Sequence, residues 1–282
     1  MEYMLREGDT IPQLGMGTWY LGEGRRPASE EERTLLSGID AGLRLIDTAE
    51  MYGDGKAEEL VGRVLRQRER EKLFLVSKVY PHNAGRNQIF RACENSLRRM
   101  GTDYLDLYLL HWRGSVPLQE TVSAMEEMVR QGRIRHWGVS NFDLEDMQEL
   151  FRCQYGERCA VNQVLYHLGS RGIEVVLRPW QEQHGVLSMA YCPLAQMGRL
   201  NHKLVSHPAV TETAQELGLT PMQVLLGFVL SQNNMVAIPR TGSAEHMKLN
   251  AAMANTQLPQ AYIERLNAAF PVPGNRVPLD ME

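Results

Sequence analysis

The chain is short of several things, and each shortage closes off a class of function. Its 282 residues include only four cysteines, Cys93, Cys153, Cys159 and Cys192. None forms a C-x-x-C pair and no histidine stands near them at zinc-ligand spacing, so neither a metal knuckle nor a disulfide framework is indicated. Reduced, mostly buried thiols are the expectation, because free cysteine behaves as a small hydrophobe. Excess positive charge is missing too. The 30 Lys and Arg stand against 34 Asp and Glu, a formal net charge of −4, which offers no electrostatic footprint for nucleic acid. The basic run "RQRER" (66–70) contains acid and reads as a solvated helix end. Long apolar runs are absent: the longest, 224–230, includes a glycine and falls far short of the ~20 residues that span a bilayer. The opening "MEYMLREGD" is too acidic and too weakly apolar for a signal peptide. A cytoplasmic protein without nucleic-acid or membrane partners is expected. The dinucleotide fingerprint G-x-G-x-x-G occurs nowhere; "GMGTWY" (15–20) puts Tyr20 where the third glycine is needed.

What is present is ordinary material for a large core, 43% hydrophobic and 23% charged residues. Eight strand-like runs follow one another: "QLGMGTW" (13–19), "LRLID" (43–47), "LFLVSK" (73–78), "YLDLYLLH" (104–111), "IRHWGVSN" (134–141), "CAVNQ" (159–163), "VLSMAYCP" (186–193) and "MVAIPR" (235–240). Amphipathic helical patterns lie between them. "SEEERTLLSGIDAG" opens on Ser29 as a cap with acids in the first turn and closes near Gly42. "NQIFRACENSLRRMG" carries Ile89, Phe90, Cys93 and Leu97 at helical spacing and stops at Gly101. "QETVSAMEEMVRQG" puts Val122, Met125 and Val129 on one face and ends at Gly132. "TPMQVLLGFVLSQ" has Thr220 as cap and Pro221 in the first helical position. Strand then helix, eight times, with runs apolar enough to be covered on both faces, is the pattern of an α/β protein of the (β/α)8 TIM-barrel class. No linker or composition shift divides it, so 1–282 reads as one domain. The start "YMLREGDTIPQLG" reads as a hairpin turning at Gly8-Asp9, a candidate plug for the barrel's bottom.

In such a barrel the chemistry lies at the C-terminal strand ends. The second run ends on Asp47, the third on Lys78, the fourth on His111, the fifth on Ser140-Asn141 and the sixth on Asn162-Gln163, with Tyr52 in the loop after Asp47. Singly, each has a plain structural reading: a turn-forming Asp, a solvated Lys, a satisfied His. Together they form a consistent proton-donating device. A tyrosine's pKa of ~10 is high for proton donation near neutrality. A nearby ammonium stabilises phenolate and lowers it by roughly 1–3 units. Lys78 would supply that cation, Asp47 would hold Lys78 charged, and His111 would position the substrate oxygen. Such a device suits hydride addition to a carbonyl.

The motifs "GMGTW", "LIDTAEMYGDG", "LVSKVYP", "LDLYLLHW", "GRIRHWGVSNF", "VNQVLYH", "YCPLAQ" and "IPRTGS" carry a close resemblance to the aldo-keto reductases along essentially the whole chain, nearest to the bacterial branch that reduces methylglyoxal and related small aldehydes. The resemblance implies a catalytic tetrad of Asp47, Tyr52, Lys78 and His111. It implies NADPH, preferred over NADH, extended across the barrel mouth. Ser140, Asn141 and Gln163 would bond the nicotinamide carboxamide, and Tyr191 would stack on its ring. Cys192, Pro193 and Leu194 would line the pyrophosphate path. Arg240, Thr241, Ser243 and Asn250 would approach the adenosine 2′-phosphate and adenine. Trp19 and Trp112 resemble substrate-pocket walls, while Trp137 and Trp180 read as core. Three departures stand out: Cys192 replaces a usual serine, Arg240 a usual lysine, and His246 stands where many relatives carry a second arginine.

The expected function is thus NADPH-dependent reduction of small aldehydes and 2-oxoaldehydes by a monomer. Two alternatives belong to other classes. One is a nicotinamide-sensing binding module on the same fold. The other is a barrel aldolase with Lys78 as Schiff-base nucleophile, against which the neighbouring Asp47 argues. The short segments "WRGSVPLQE" after His111 and "PVPGNRVPLDME" at the end suggest an open pocket with modest discrimination.

Overall fold

The hairpin comes first: β1 (Glu2–Met4) and β2 (Thr10–Pro12) pair antiparallel across a turn at Gly8-Asp9. The fold is that of a computed structural model, described for residues 1–5, 8–195 and 199–281, with the side chains of 199 and 200 left aside. Eight parallel strands follow: β3 (Gly15–Gly17), β4 (Leu45–Asp47), β5 (Phe74–Val79), β6 (Leu105–Leu110), β7 (Ile134–Ser140), β8 (Val161–Leu165), β9 (Leu187–Tyr191) and β10 (Met235–Ala237). They hydrogen-bond in chain order from β3 to β10. Parallel bridges Leu14–Ala237 and Gly17–Arg240, with Ala237 N donating to Gln13 O at 2.8 Å, bring the first strand to the last and close the barrel.

Around it run α1 (Ala28–Asp40), α2 (Lys56–Leu65), α3 (Gln88–Met100), α4 (Leu118–Arg130), α5 (Leu144–Arg152), α6 (Leu177–Gln183), α7 (Arg199–Val205), α8 (Pro208–Leu217), α9 (Pro221–Leu230), α10 (Ala244–Ala252) and α11 (Gln260–Ala269). Alternate strand residues point in and out, so there are two cores. Outward residues such as Ile46, Leu75, Tyr108 and Val164 pack on the helices. Inward ones such as Leu45, Val76, Leu107, Val161 and Met189 fill the barrel. Leu5 and Ile11 of the hairpin join that inner cluster, which makes the hairpin the floor of the barrel.

Local signals behave as read in most places. Thr220 and Gln223 form a reciprocal capping box with Pro221 in the first turn of α9. Gly101 ends α3 in the left-handed conformation, and Gly132 follows α4 with φ 72°. Ser29 is not a cap: α1 begins at Ala28, and Pro27, with its φ preset, precedes it without any side-chain bond. The sixth barrel run is also displaced. β8 spans Val161–Leu165, so Gln163 lies mid-strand facing inward, and Asn162 faces outward to donate to Phe142 O and Gln181 Oε1. None of the four cysteines is in a disulfide, and burial pushes the Cys93 thiol up to about 12. Trp137 is buried in the outer core and donates to Glu126, whereas Trp180 is half-buried at its edge against His184. Among the described residues no helix is long and apolar enough to cross a membrane.

Candidate active site

Asp47 is the last residue of β4 and Lys78 the penultimate residue of β5, both pointing into the barrel near its C-terminal rim. Their contact is an ion pair, Lys78 Nζ to Asp47 Oδ1 at 2.7 Å. The chain then leaves β4 through "TAEM" into a short 3-10 turn, Tyr52–Gly55, where Gly53 (φ 57°), Asp54 (φ 53°) and Gly55 (φ 89°) are all left-handed. The last place favours glycine because its φ of 89° strains any L side chain, and a Cβ there would also have to push Arg99 aside, 2.6 Å from Cδ. This coil carries the phenol back over the ion pair. Lys78 Nζ donates to Tyr52 Oη at 3.2 Å and to Thr48 O at 2.9 Å. All three ammonium protons are therefore placed, on a side chain that is 0% exposed. A Schiff base would need that nitrogen deprotonated and reachable, so the aldolase reading has no support. Behind Lys78, its outward-facing neighbour Ser77 donates to Glu58 on α2 at 2.6 Å, and Arg99 on α3 donates to the same carboxylate. The lysine's strand is thus tied to two helices.

Burial dominates the electrostatics. It pushes the Asp47 carboxyl up and the Lys78 amine down, and each is opposed by the charge of the other. Tyr52 moves opposite to the sequence expectation. Its pKa lies well above the usual phenol value, raised first by burial and then by the Asp47 charge. Lys78 Nζ lies 3.2 Å from the phenol oxygen, but burial and the Asp47 charge outweigh it. His111, just after β6, is driven down to about 2 by burial and by Lys78, so its imidazole is neutral. Its ring lies edge-on to Tyr52, with centroids 5.8 Å apart, and its Nδ1 is buried without a hydrogen-bond partner.

The remaining polar groups interlock. Asn141 takes the left-handed conformation (φ 57°) just beyond β7; its amide donates to His111 O and Ser140 Oγ, and it accepts from Tyr191 Oη at 2.9 Å. Ser140 Oγ donates to Gln163 O at 2.9 Å. Gln163 Nε2 donates to Asp47 Oδ2 at 2.8 Å, a bond from β8 to β4 that no local pattern announces.

Two cavities open at this rim. The smaller, about 90 Å³, is lined by Asp47, Tyr52, His111, Trp112, Tyr191 and Cys192, with Ser140, Asn141, Gln163, Trp19 and Arg240 around them. The larger, about 290 Å³, is lined by Trp19, Leu194, Arg240, Thr241, His246 and Asn250. Trp19 and Arg240 belong to both, joined by a bond from Arg240 Nε to Trp19 O of 2.9 Å. Two expected contact residues stand back from the cavity walls. Ser243 caps α10 by accepting from His246 N, and Pro193 is buried in the turn after β9. Tyr20 and Met222, which sequence reading did not mark, also line the larger cavity.

Residues 13–270 match the aldo/keto reductase family. The chain belongs to that family. Among its aldo/keto reductase relatives is methylglyoxal reductase YeaE of Escherichia coli (strain K12), 52% identical over 272 residues that cover 96% of this chain and 95% of that protein. An aldo/keto reductase from Klebsiella pneumoniae in complex with NADP and acetate superposes with a TM-score of 0.95 at 52% identity, covering 99% of this chain and 98% of that one. A second Klebsiella pneumoniae aldo-keto reductase structure, in complex with NADPH, gives a TM-score of 0.95 at 51% identity, with both chains covered in full. The eightfold alternation of strand and helix thus belongs to a reductase barrel.

Proposed function

We propose that this chain reduces small aldehydes and 2-oxoaldehydes, methylglyoxal among them, with NADPH as reductant and Tyr52 as general acid. One observation carries the reading. Tyr52 Oη and the neutral ring of His111 face the same small cavity, with the Lys78–Asp47 pair sealed beneath them.

The residues fit the cofactor. The joined cavities give an elongated groove from the barrel mouth to α10. At the far end Asn250 Nδ2 is buried and has no hydrogen-bond partner, a donor waiting for an acceptor. Arg240 brings a planar, permanently charged fork to that groove. When bound, the reduced nicotinamide would supply the hydride that adds to the carbonyl carbon. His111 would hold the carbonyl oxygen through its ring N–H. Tyr52 would give its proton to that oxygen as negative charge grows there. The raised pKa of Tyr52 keeps the phenol protonated until then, and transfer still runs downhill because an alkoxide is far more basic than a phenolate. Lys78 would steady the phenolate left behind, and Asp47 would keep Lys78 charged. The carboxamide-binding roles of Ser140, Asn141 and Gln163, and a ring-stacking role for Tyr191, are compatible with their places on the wall.

The sensing-module alternative has no comparable observation behind it, whereas the convergence of Tyr52, Lys78 and His111 supports a reductase. A cytoplasmic monomer that prefers NADPH over NADH completes the proposal, the preference resting chiefly on Arg240. The test is Tyr52→Phe, assayed with methylglyoxal and NADPH. General acid catalysis contributes about 10²–10⁴-fold, so kcat should fall at least that far while NADPH still binds. Retention of most of the activity would mean that another group is the acid.

A further inference from the structure

Arg240 is not alone at the adenosine end of the groove. The loop after β3, "GEGRRP" (22–27), bends through Gly22 (φ 79°) and Gly24 (φ 75°) and lies against the turn that follows Arg240. The point of contact is Gly242, where a Cβ would stand 3.0 Å from Arg26 Cδ and 3.1 Å from Arg26 Nε. Arg26 therefore rests on the turn between Thr241 and Ser243, beside Thr241, which lines the larger cavity. Arg25 is held differently, with its guanidinium 3.8 Å over the Tyr20 ring and 3.6 Å from Glu23.

These arginines sense one another. Arg240 is pulled below its ordinary pKa by burial first and then by the charge of Arg25, against which Glu31 pulls, with weaker and opposed effects from Arg26 and Glu23. Guanidiniums brought together repel, and acids stand among them: Glu31 is buried with Oε1 unpartnered, Glu23 lies 3.6 Å from Arg25, and Glu30 approaches Arg26 only to 3.9 Å, with both side chains about half exposed. Such a convergence is the mark of a site that gathers an anion. The cavity wall beside it contributes the hydroxyl of Thr241, the ring of His246 and the unpartnered amide of Asn250.

We propose that Arg26 is a second cation for the 2′-phosphate of the bound cofactor, closing on it from the β3 side, and that it is a determinant of NADPH over NADH. The inference rests on the reading of the groove as an NADP(H) site. It assigns to a loop ahead of the first helix a role that Arg240 would otherwise carry by itself. The 2′-phosphate is a dianion near neutrality, and one guanidinium from the β10 side leaves much of that charge unmatched.

The test compares dissociation constants of Arg26→Ala for NADPH and NADH, read from quenching of tryptophan fluorescence, with Arg240→Ala alongside. A charge-assisted contact from a half-exposed arginine is discounted for screening, so NADPH should bind about five- to twentyfold more weakly and NADH within about twofold of the parent. Arg26→Glu should lose more, and Arg26→Lys should recover part of the loss. Equal weakening of both cofactors would overturn the inference, because it would show that Arg26 merely shapes the loop. An unchanged NADPH affinity in Arg26→Ala, with Arg240→Ala still impaired, would overturn it and leave the NADP(H) reading standing. If neither variant altered NADPH binding, the reading of the groove would fall, and the inference with it.

Discussion

Gln163 on β8 reaches across the barrel to Asp47 on β4, Nε2 to Oδ2 at 2.8 Å. Asp47 thereby has both oxygens engaged, one by Gln163 and the other by Lys78. Burial raises the Asp47 pKa, and these two donors oppose the rise. Gln163→Leu keeps the bulk and removes one donor. The carboxyl should then protonate at a higher pH, leaving Lys78 without its counter-charge. A lost hydrogen bond to a buried charge is worth about 1.5–3 kcal/mol, so the acid limb of kcat/KM should move up by about one pH unit or more. A limb that stays in place in a full pH profile would mean that Lys78 alone sets the ionisation of Asp47.

The Lys78–Asp47 pair makes a second, separable prediction. Removing one partner of a buried ion pair strands the other and costs about 3–5 kcal/mol, whereas removing both is far milder. Lys78→Met should therefore unfold at distinctly lower denaturant and have almost no turnover. Lys78→Met combined with Asp47→Asn should recover most of the stability and none of the turnover. Denaturant midpoints and steady-state rates for the four-member cycle check this. Recovery of activity in the double variant would show that the pair is structural only.

Much of the site is readable from sequence because its parts are strand ends. An apolar run that stops on a carboxylate, an amine or an imidazole declares its rim residue locally, and Asp47, Lys78 and His111 were each legible in that way. The gathering of Tyr52 over Lys78 was expected from chemistry, a phenol that needs a cation, while the left-handed coil that brings it there is visible only in the fold. What was not legible depends on partners distant in sequence. Gln163 sits 116 positions from Asp47, and nothing in "CAVNQ" says that the strand runs on to Leu165 or that the amide crosses the barrel. Ser29 had the look of a cap, yet Pro27 fixed the start of α1 ahead of it. The Tyr52 pKa was misjudged for a similar reason: the ammonium was counted, but not the burial that dominates it or the carboxylate beside it.

Acid stability tests the state of His111. Its pKa in the fold is about 2, far below the ~6.5 of an unfolded chain. Below about pH 6.5 the unfolded state binds a proton that the folded state refuses, so stability falls as pH drops from there toward 2. The slope is about 1.4 kcal/mol per pH unit, or about 2–3 kcal/mol lost by pH 4.5 from this residue. His167, lowered to about 4 mainly by burial, adds nearly as much down to pH 4.5 and stops contributing below about pH 4. His111→Gln should lose distinctly less stability than the parent between pH 7 and pH 4.5, measured by denaturant titration at each pH. Identical losses would mean that the imidazole accepts its proton within the folded protein.

Cofactor choice is where Arg240 can be separated from the rest of the groove. Its Nε donates to Trp19 O at 2.9 Å, so the guanidinium is anchored at the junction of the two cavities rather than swinging in solvent. An anchored fork suits a phosphate better than a point charge does. A charge-assisted contact of this kind is worth about 1.5–3 kcal/mol, so Arg240→Ala should weaken NADPH binding by about ten- to a hundredfold and leave NADH nearly unchanged. Arg240→Lys separates the two contributions. It keeps a positive charge but gives up the fork and the tie to Trp19, so it should fall between the parent and Arg240→Ala. Titrations of each variant with both nucleotides decide the matter. Equal losses for NADPH and NADH would place Arg240 on the part of the cofactor that the two share, and the NADPH preference would then need another source.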